Sequence, residues 1–203
     1  MVVTASTMLP LGTTAPNFSL PDVTSPNQAI SLKSYSDKEA LLIMFICSHC
    51  PYVKHVQAEL ARLGKDYREK SLGIVAISSN DPAVQPEDAP DRLEQMAERL
   101  GLTFPSCFDE TQEVAKAYTA ACTPDIFLFD NERRLVYHGQ LDDNRLGNDQ
   151  PINGHSLRAA IDAVLGKRPI SADQRASLGC NIKWKKGNEP IYARGGHRFG
   201  ARA

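Results

Sequence analysis

Short apolar runs alternate with amphipathic stretches along this chain, and that alternation predicts an α/β protein. Leu41-Leu42-Ile43-Met44-Phe45-Ile46 is brief and rich in aliphatic side chains, the pattern of a strand buried on both faces. After it, Val53, Val56, Leu60, Leu63 and Tyr67 recur at helical spacing. They predict a helix that starts at or near Cys47, with Pro51 in its first turn, where a missing N–H is no loss. Leu72 to Ser78 reads as a second buried strand and Asn80 to Pro90 as a loop. Asp91 is placed to cap a helix over Arg92 to Leu100, which Gly101 ends. A short helix is predicted around Glu113 to Tyr118, and the runs Asp125 to Phe129 and Leu135 to Gly139 form a hairpin across Asp130-Asn131. A polar loop from Gln140 to Gly154 leads to the last clear helix, Ser156 to Leu165, stopped by Gly166. The order β-α-β-α-(α)-β-β-α predicts a mixed central β-sheet with helices on both faces.

Length and charge bound this picture without adding chemistry. A chain of 203 residues has room for one domain of ordinary size plus extensions. With a net charge of −1, nothing global points to nucleic acid or a membrane surface. Lys183, Lys185, Lys186, Arg194, Arg198 and Arg202 make the tail basic, but without a binding motif they read as solvated charges. Met1 to Leu11 has no basic segment followed by an apolar stretch, and the longest apolar run, Ala40 to Cys47, is far too short to span a bilayer. The expected localisation is therefore cytoplasmic. Five cysteines are too few and too unevenly spaced for a disulfide framework.

Two of those cysteines carry the chemistry. Cys47-Ser48-His49-Cys50 places two thiols three residues apart between the first strand and the first helix. Free N–H groups at a helix N-terminus lower a thiol pKa below its ordinary value of about 8.5, which makes Cys47 the expected nucleophile. Cys50, one turn further in, is the expected resolving thiol and the more covered of the two. His49 between them is a cation candidate that would favour the thiolate. Lys54 and His55 follow on the helix, as cationic partners or as part of a solvated face. Cys107, after Phe104-Pro105, reads as core. Cys180 sits in the tail, where Ile182 and Trp184 are apolar anchors that would let the tail fold back over the site. Asp142-Asp143-Asn144-Arg145 reads as a hydrogen-bonded turn or the rim of a substrate groove.

The element order resembles the thioredoxin fold, with the dithiol where that fold carries its redox motif. Gly12-Thr13-Thr14-Ala15-Pro16-Asn17-Phe18-Ser19-Leu20 resembles the opening of the alkyl hydroperoxide reductase and thiol-specific antioxidant (AhpC/TSA, redoxin) family. The connection from Asn80 to Leu102, with Phe104-Pro105, Asp109, Ala115 and Tyr118 after it, is similar to that family's insertion. Phe45 to Lys54, together with Cys122-Thr123-Pro124-Asp125, resembles its peroxiredoxin-like subgroup. The resemblance covers about residues 8 to 168, which implies a redoxin domain over 8–168 and a C-terminal extension over 169–203. Gly179 to Lys185 is also similar to that subgroup. The resemblance implies a cis bond before Pro124. That turn would bring Thr123 against the dithiol, where its backbone can pair with an extended substrate segment. Cys122 would then lie beside the site, as an alternative resolving thiol or as packing.

A peroxiredoxin of this family carries a threonine three residues before its cysteine and a proline beside it; here Met44 holds the first position and no proline lies between Ala40 and Cys47. No tryptophan precedes Cys47, and neither the strand before it nor the helix turn after it offers a carboxylate. The expected function is thiol-disulfide exchange through the Cys47/Cys50 dithiol, acting on a protein disulfide or thiol with a thiol reductant, and with no cofactor. Two alternatives stay open. One is an antioxidant thiol peroxidase with Cys47 as the peroxidatic residue. The other is a zinc or copper site built from Cys47, Cys50 and His55 with one of His49, Cys122 or Cys180.

Overall fold

The computed structural model describes residues 3–194. In chain order the elements are β1 (Val3–Ala5), β2 (Ser19–Asp22), β3 (Ser25–Ser31), β4 (Ala40–Phe45), α1 (Pro51–Asp66), β5 (Leu72–Ser78), α2 (Pro90–Leu100), β6 (Ser106–Phe108), α3 (Glu113–Ala117), β7 (Cys122–Thr123), β8 (Asp125–Phe129), β9 (Leu135–His138), α4 (His155–Leu165), β10 (Leu178–Asn181) and α5 (Ile191–Arg194).

Seven strands form one sheet in the order β3-β2-β6-β5-β4-β8-β9. β4 runs parallel to β5, from Ala40 opposite Leu72 to Phe45 opposite Ile77, and antiparallel to β8, from Leu41 opposite Phe129 to Phe45 opposite Asp125. Every residue of β4 is buried, because side chains alternate to two covered faces. Leu42 and Met44 enter the core shared with Val53, Leu60 and Leu63 of α1 and Leu157 and Ile161 of α4. Leu41, Ile43 and Phe45 enter the opposite core, where Phe45, Tyr118 and Phe127 have ring centroids 5.8 Å apart pairwise. A second sheet, ordered β1-β10-β7, joins the two chain ends to the turn before β8.

The fold is the mixed α/β arrangement expected, and β5 and β8 have the predicted bounds. Helix starts differ. α1 begins at Pro51, with Cys50 as its N-cap, and α2 begins at Pro90, with Ala89 as its N-cap and Asp91 inside the first turn. In both, proline takes the first helical position, where its fixed φ suits the helix and its absent N–H costs nothing. Gly101 ends α2 in the left-handed conformation, with φ 60°. The periodicity gave no sign of β1, of the β2–β3 hairpin, or of β6, β7 and β10. Arg198 and Arg202 lie outside the described residues. No helix among the described residues is long and apolar enough to cross a membrane.

Candidate active site

β4 ends at Phe45, and the chain turns through Ile46-Cys47-Ser48-His49 before α1 begins at Pro51. Such a turn leaves backbone N–H groups without helical or sheet partners, so an acceptor must come from elsewhere. Asp88 supplies it. Its Oδ1 accepts from Ser48 N at 2.8 Å, His49 N at 3.1 Å and Ser48 Oγ at 3.0 Å. Its Oδ2 accepts from Asn80 Nδ2 at 2.7 Å and lies 2.5 Å from His49 Nδ1. Burial works to raise the pKa of Asp88, but the His49 ring, the Asn80 amide and the Ser48 N–H outweigh it and hold the carboxyl below its usual range. An ionised carboxylate only accepts, so the hydrogen between the two sits on His49 Nδ1.

Thr123 joins the two thiols. Cys47 Sγ lies 3.2 Å from Thr123 Oγ1 and 3.4 Å from His49 Nδ1, while the Cys50 thiol donates to the Thr123 carbonyl at 3.1 Å. The Thr123-Pro124 bond is cis, as the resemblance implied. Both thiols are fully buried, so Cys47 is covered no less than Cys50.

The observed helix start corrects the sequence reading of where α1 begins. Because Cys50 is the N-cap, the free N–H groups of α1 serve Cys50 and not Cys47. A hydrogen bond from Cys47 above all, joined by others from Cys180, Thr123 and the Val53 N–H, overcomes burial and pulls Cys50 down to about 4. Burial, the hydrogen bond to Cys50 and the Asp88 charge push Cys47 well above its ordinary value, against the Thr123 hydroxyl. The two sulfurs are a coupled pair that shares one proton, so the low value belongs to the pair, and the Thr123 carbonyl beside Cys50 receives the S–H hydrogen bond when that proton sits on Cys50. His49 is not free beside the thiols. Asp88 and Cys47 both approach its Nδ1, and the carboxylate is the nearer.

The remaining candidates separate cleanly. Cys180 comes to the site against Cys50, and burial with the neighbouring Cys50 pushes its thiol up to about 12. Cys122 is fully buried, directed at the Pro124 carbonyl 3.6 Å away, and held protonated by burial and by Asp125. Cys107 is core, beside Asp22, raised to about 12 by burial. Lys54 pairs with Glu87 on the exposed face. His55 Nε2 bonds Asn144, and His55 is not among the metal-ligand atoms that come together. Among the described residues the group of metal-ligand atoms that does assemble is Cys47, His49 and Asp88, within 4.8 Å of one another, and its carboxylate is already committed to the loop. Asp142 forms the hydrogen-bonded turn, accepting from Asn144 N, Asn153 N and Gly154 N.

Two features had no sequence signal. Asp88 is remote in sequence from the motif and sits in a loop whose acids look solvated. Asp125 and His138 form a second buried pair, His138 Nε2 to Asp125 Oδ1 at 2.9 Å, with Leu9 N donating to His138 Nδ1 at 2.8 Å. His138 stacks on Phe127 with centroids 4.0 Å apart, and Asp125 Oδ2 accepts from Ala121 N, so this pair braces the proline turn from behind. Met44, where a peroxiredoxin has threonine, is core; the hydroxyl that reaches Cys47 comes from Thr123 instead.

The AhpC/TSA family model matches residues 11–138, and the chain belongs to the AhpC/TSA family. It is similar to the crystal structure of an uncharacterized conserved protein from Geobacillus kaustophilus, 51% identical with a TM-score of 0.89, covering 91% of this chain and 97% of that one. The thioredoxin domain of a thiol-disulfide oxidoreductase from Bacteroides vulgatus shares the fold, 19% identical with a TM-score of 0.55, covering 75% of this chain and 99% of that domain. Among curated relatives, thiol-disulfide oxidoreductase ResA of Geobacillus kaustophilus is 28% identical over 127 residues, 63% of this chain and 67% of ResA.

Proposed function

We propose that this member of the AhpC/TSA family is a thiol-disulfide oxidoreductase, with Cys47 as the attacking and Cys50 as the resolving thiol. The observation that carries this reading is the placement of Thr123 between the two sulfurs. Its hydroxyl faces Cys47 and its carbonyl faces Cys50. When the shared proton sits on Cys50, its S–H donates to the Thr123 carbonyl, and the Thr123 hydroxyl stands ready as a donor to a Cys47 thiolate. That thiolate attacks a substrate disulfide, forming a bond to one sulfur while the other leaves as a thiolate. Cys50 then attacks Cys47, releases the second substrate thiol and closes the Cys47–Cys50 disulfide. Two electrons have passed to the substrate, and an external thiol reductant resets the pair. Protein disulfides are the substrate class we assign, and the cytoplasm is the compartment, since five cysteines without a disulfide framework suit a reducing environment.

The test is a redox titration in defined thiol/disulfide buffers with mass mapping of the cysteines and a metal assay on the same sample. A reversible Cys47–Cys50 disulfide with a potential between about −180 and −270 mV is expected. Oxidation of Cys47 alone by peroxide, without that disulfide, would replace exchange by thiol peroxidase chemistry. Stoichiometric zinc or copper on the thiols would sink both.

A further inference from the structure

In the small sheet, β10 lies antiparallel to β7 with Cys180 directly opposite Thr123 and Asn181 opposite Cys122. Residues directly opposite in an antiparallel pair project to the same face of the sheet, with Cβ atoms about 4.5–5.5 Å apart. The Thr123 side chain touches Cys47, so the face it shares with Cys180 is the face of the dithiol. Cys122 projects to the other face. Sequence proximity to the proline turn offered Cys122 as an alternative resolving thiol or as packing; the register turns Cys122 away from the dithiol and Cys180 toward it.

The approach of β10 is close. A Cβ on Gly179 would stand 2.0 Å from the Thr123 carbonyl oxygen and 3.2 Å from Pro124 N, so only glycine permits this contact. Beyond it, Ile182 N donates to the Ala121 carbonyl and Lys183 N to Asn80 Oδ1, whose amide in turn holds Asp88. Ile182 and Trp184 are buried in the aromatic core. The protein's own tail therefore occupies the backbone edge at Thr123 where an extended substrate would add, and it brings a thiol with it.

We propose that Cys180 is a third redox-active cysteine, which receives the disulfide from Cys47 and stores it as a Cys50–Cys180 bond. This inference rests on the exchange reading above. Once Cys47 and Cys50 are joined, the Cys180 thiolate attacks Cys50 Sγ. The Cys50–Cys180 bond forms, the Cys47–Cys50 bond breaks, and Cys47 leaves as a thiolate that takes up the proton lost by Cys180. No electrons enter or leave. The timing is built in. In the reduced state burial first, and then the hydrogen bond and charge of Cys50, oppose ionisation of Cys180; closure of the Cys47–Cys50 disulfide removes the Cys50 contributions while Lys183 still favours the thiolate. The outcome is a Cys47 free to react again while the oxidising equivalent is held one residue pair deeper.

Cleavage after Lys and Arg separates residues 39–54, which carry Cys47 and Cys50, from residues 176–183, which carry Cys180. The full chain is oxidised with limiting glutathione disulfide, free thiols are alkylated in acid, and the unreduced digest is mass-mapped. Joined 39–54 and 176–183 fragments, in equilibrium with internally bridged 39–54, are expected in the wild type; the joined fragments are expected again in Cys47→Ser, and not in Cys50→Ser. Cys180→Ser, a near-isosteric change checked for folding by circular dichroism, should leave all the oxidised protein as Cys47–Cys50. An internal Cys47–Cys50 bond with Cys180 fully alkylated in the wild type would overturn this inference alone. Alkylation of all three thiols after full oxidation, with no disulfide anywhere, would overturn the exchange reading with it.

Discussion

In the large sheet, β4 meets β5 over a run of consecutive residues, and each partner is an aliphatic or aromatic stretch that fills both faces. In the small sheet, β7 contributes only Cys122 and Thr123, and the pairing Val3–Cys180–Thr123 ties together the beginning, the end and the middle of the chain. One sheet is held by the side chains it buries and the other by the backbone positions it aligns. The reacting groups stand on the second kind of structure, where small shifts of register decide which thiol faces which. Stability and reactivity are therefore supported by different residues, and substitutions can separate them.

The largest effect is expected from Phe127→Ala, which empties the centre of the aromatic core beneath β4 and β8. Large-to-small substitutions of a buried aromatic cost about 3–5 kcal/mol. Urea unfolding should show this loss, with the thiol pairing in the remaining folded protein unchanged; a loss below 1 kcal/mol would mean that the large sheet is not where the stability resides. Gly179→Ala strikes the small sheet instead. Its new methyl group meets the Thr123 backbone, and overpacking of this kind costs about 1–3 kcal/mol. Alkylation of Cys50 and Cys180 in the native protein should accelerate while amide exchange in β4 and β5 stays slow. If both regions loosen together, the two sheets are one cooperative unit.

Asp88→Asn is the smallest in stability and the sharpest in chemistry. The amide keeps the acceptor for the Ser48 and His49 N–H groups and His49 can turn its tautomer to the new donor, but the Asn80 amide loses its acceptor, so the net cost at neutral pH is about 1–2 kcal/mol. Removing the charge takes away one of the influences that raise Cys47, so alkylation of Cys47 should begin at lower pH. The acid limb of stability changes too. The folded pKa of Asp88 is depressed, so its contribution is present above the ordinary carboxyl value of 3.8 and is lost as pH falls through the lower folded value. In Asp88→Asn that part of the acid loss should disappear from a pH series of melting curves. An unchanged Cys47 profile would show that the carboxylate only shapes the loop.

Much of this was readable in the chain. β5 and β8 match their apolar runs residue for residue, Gly101 ends its helix, and Cys47, Cys50, Thr123 and Pro124 meet as the motif and the family resemblance implied. The helix start was misplaced by a few residues because Pro51 fits any position in a first turn, and that slip moved the helix terminus from Cys47 to Cys50.

What the sequence by itself determined is the sheet order's raw material: runs long enough that burying them leaves one stable arrangement, and two thiols at a strand-to-helix junction. What only the tertiary structure decided is who stands next to those thiols. Asp88, Cys180 and the Thr123 carbonyl reach the site through hydrogen bonds and register between segments far apart in the chain. Hydrophobic periodicity records the face a residue buries, because burial is a local property of each side chain. It carries no record of which distant backbone edge will be aligned with it, since that alignment comes from the close packing of the whole.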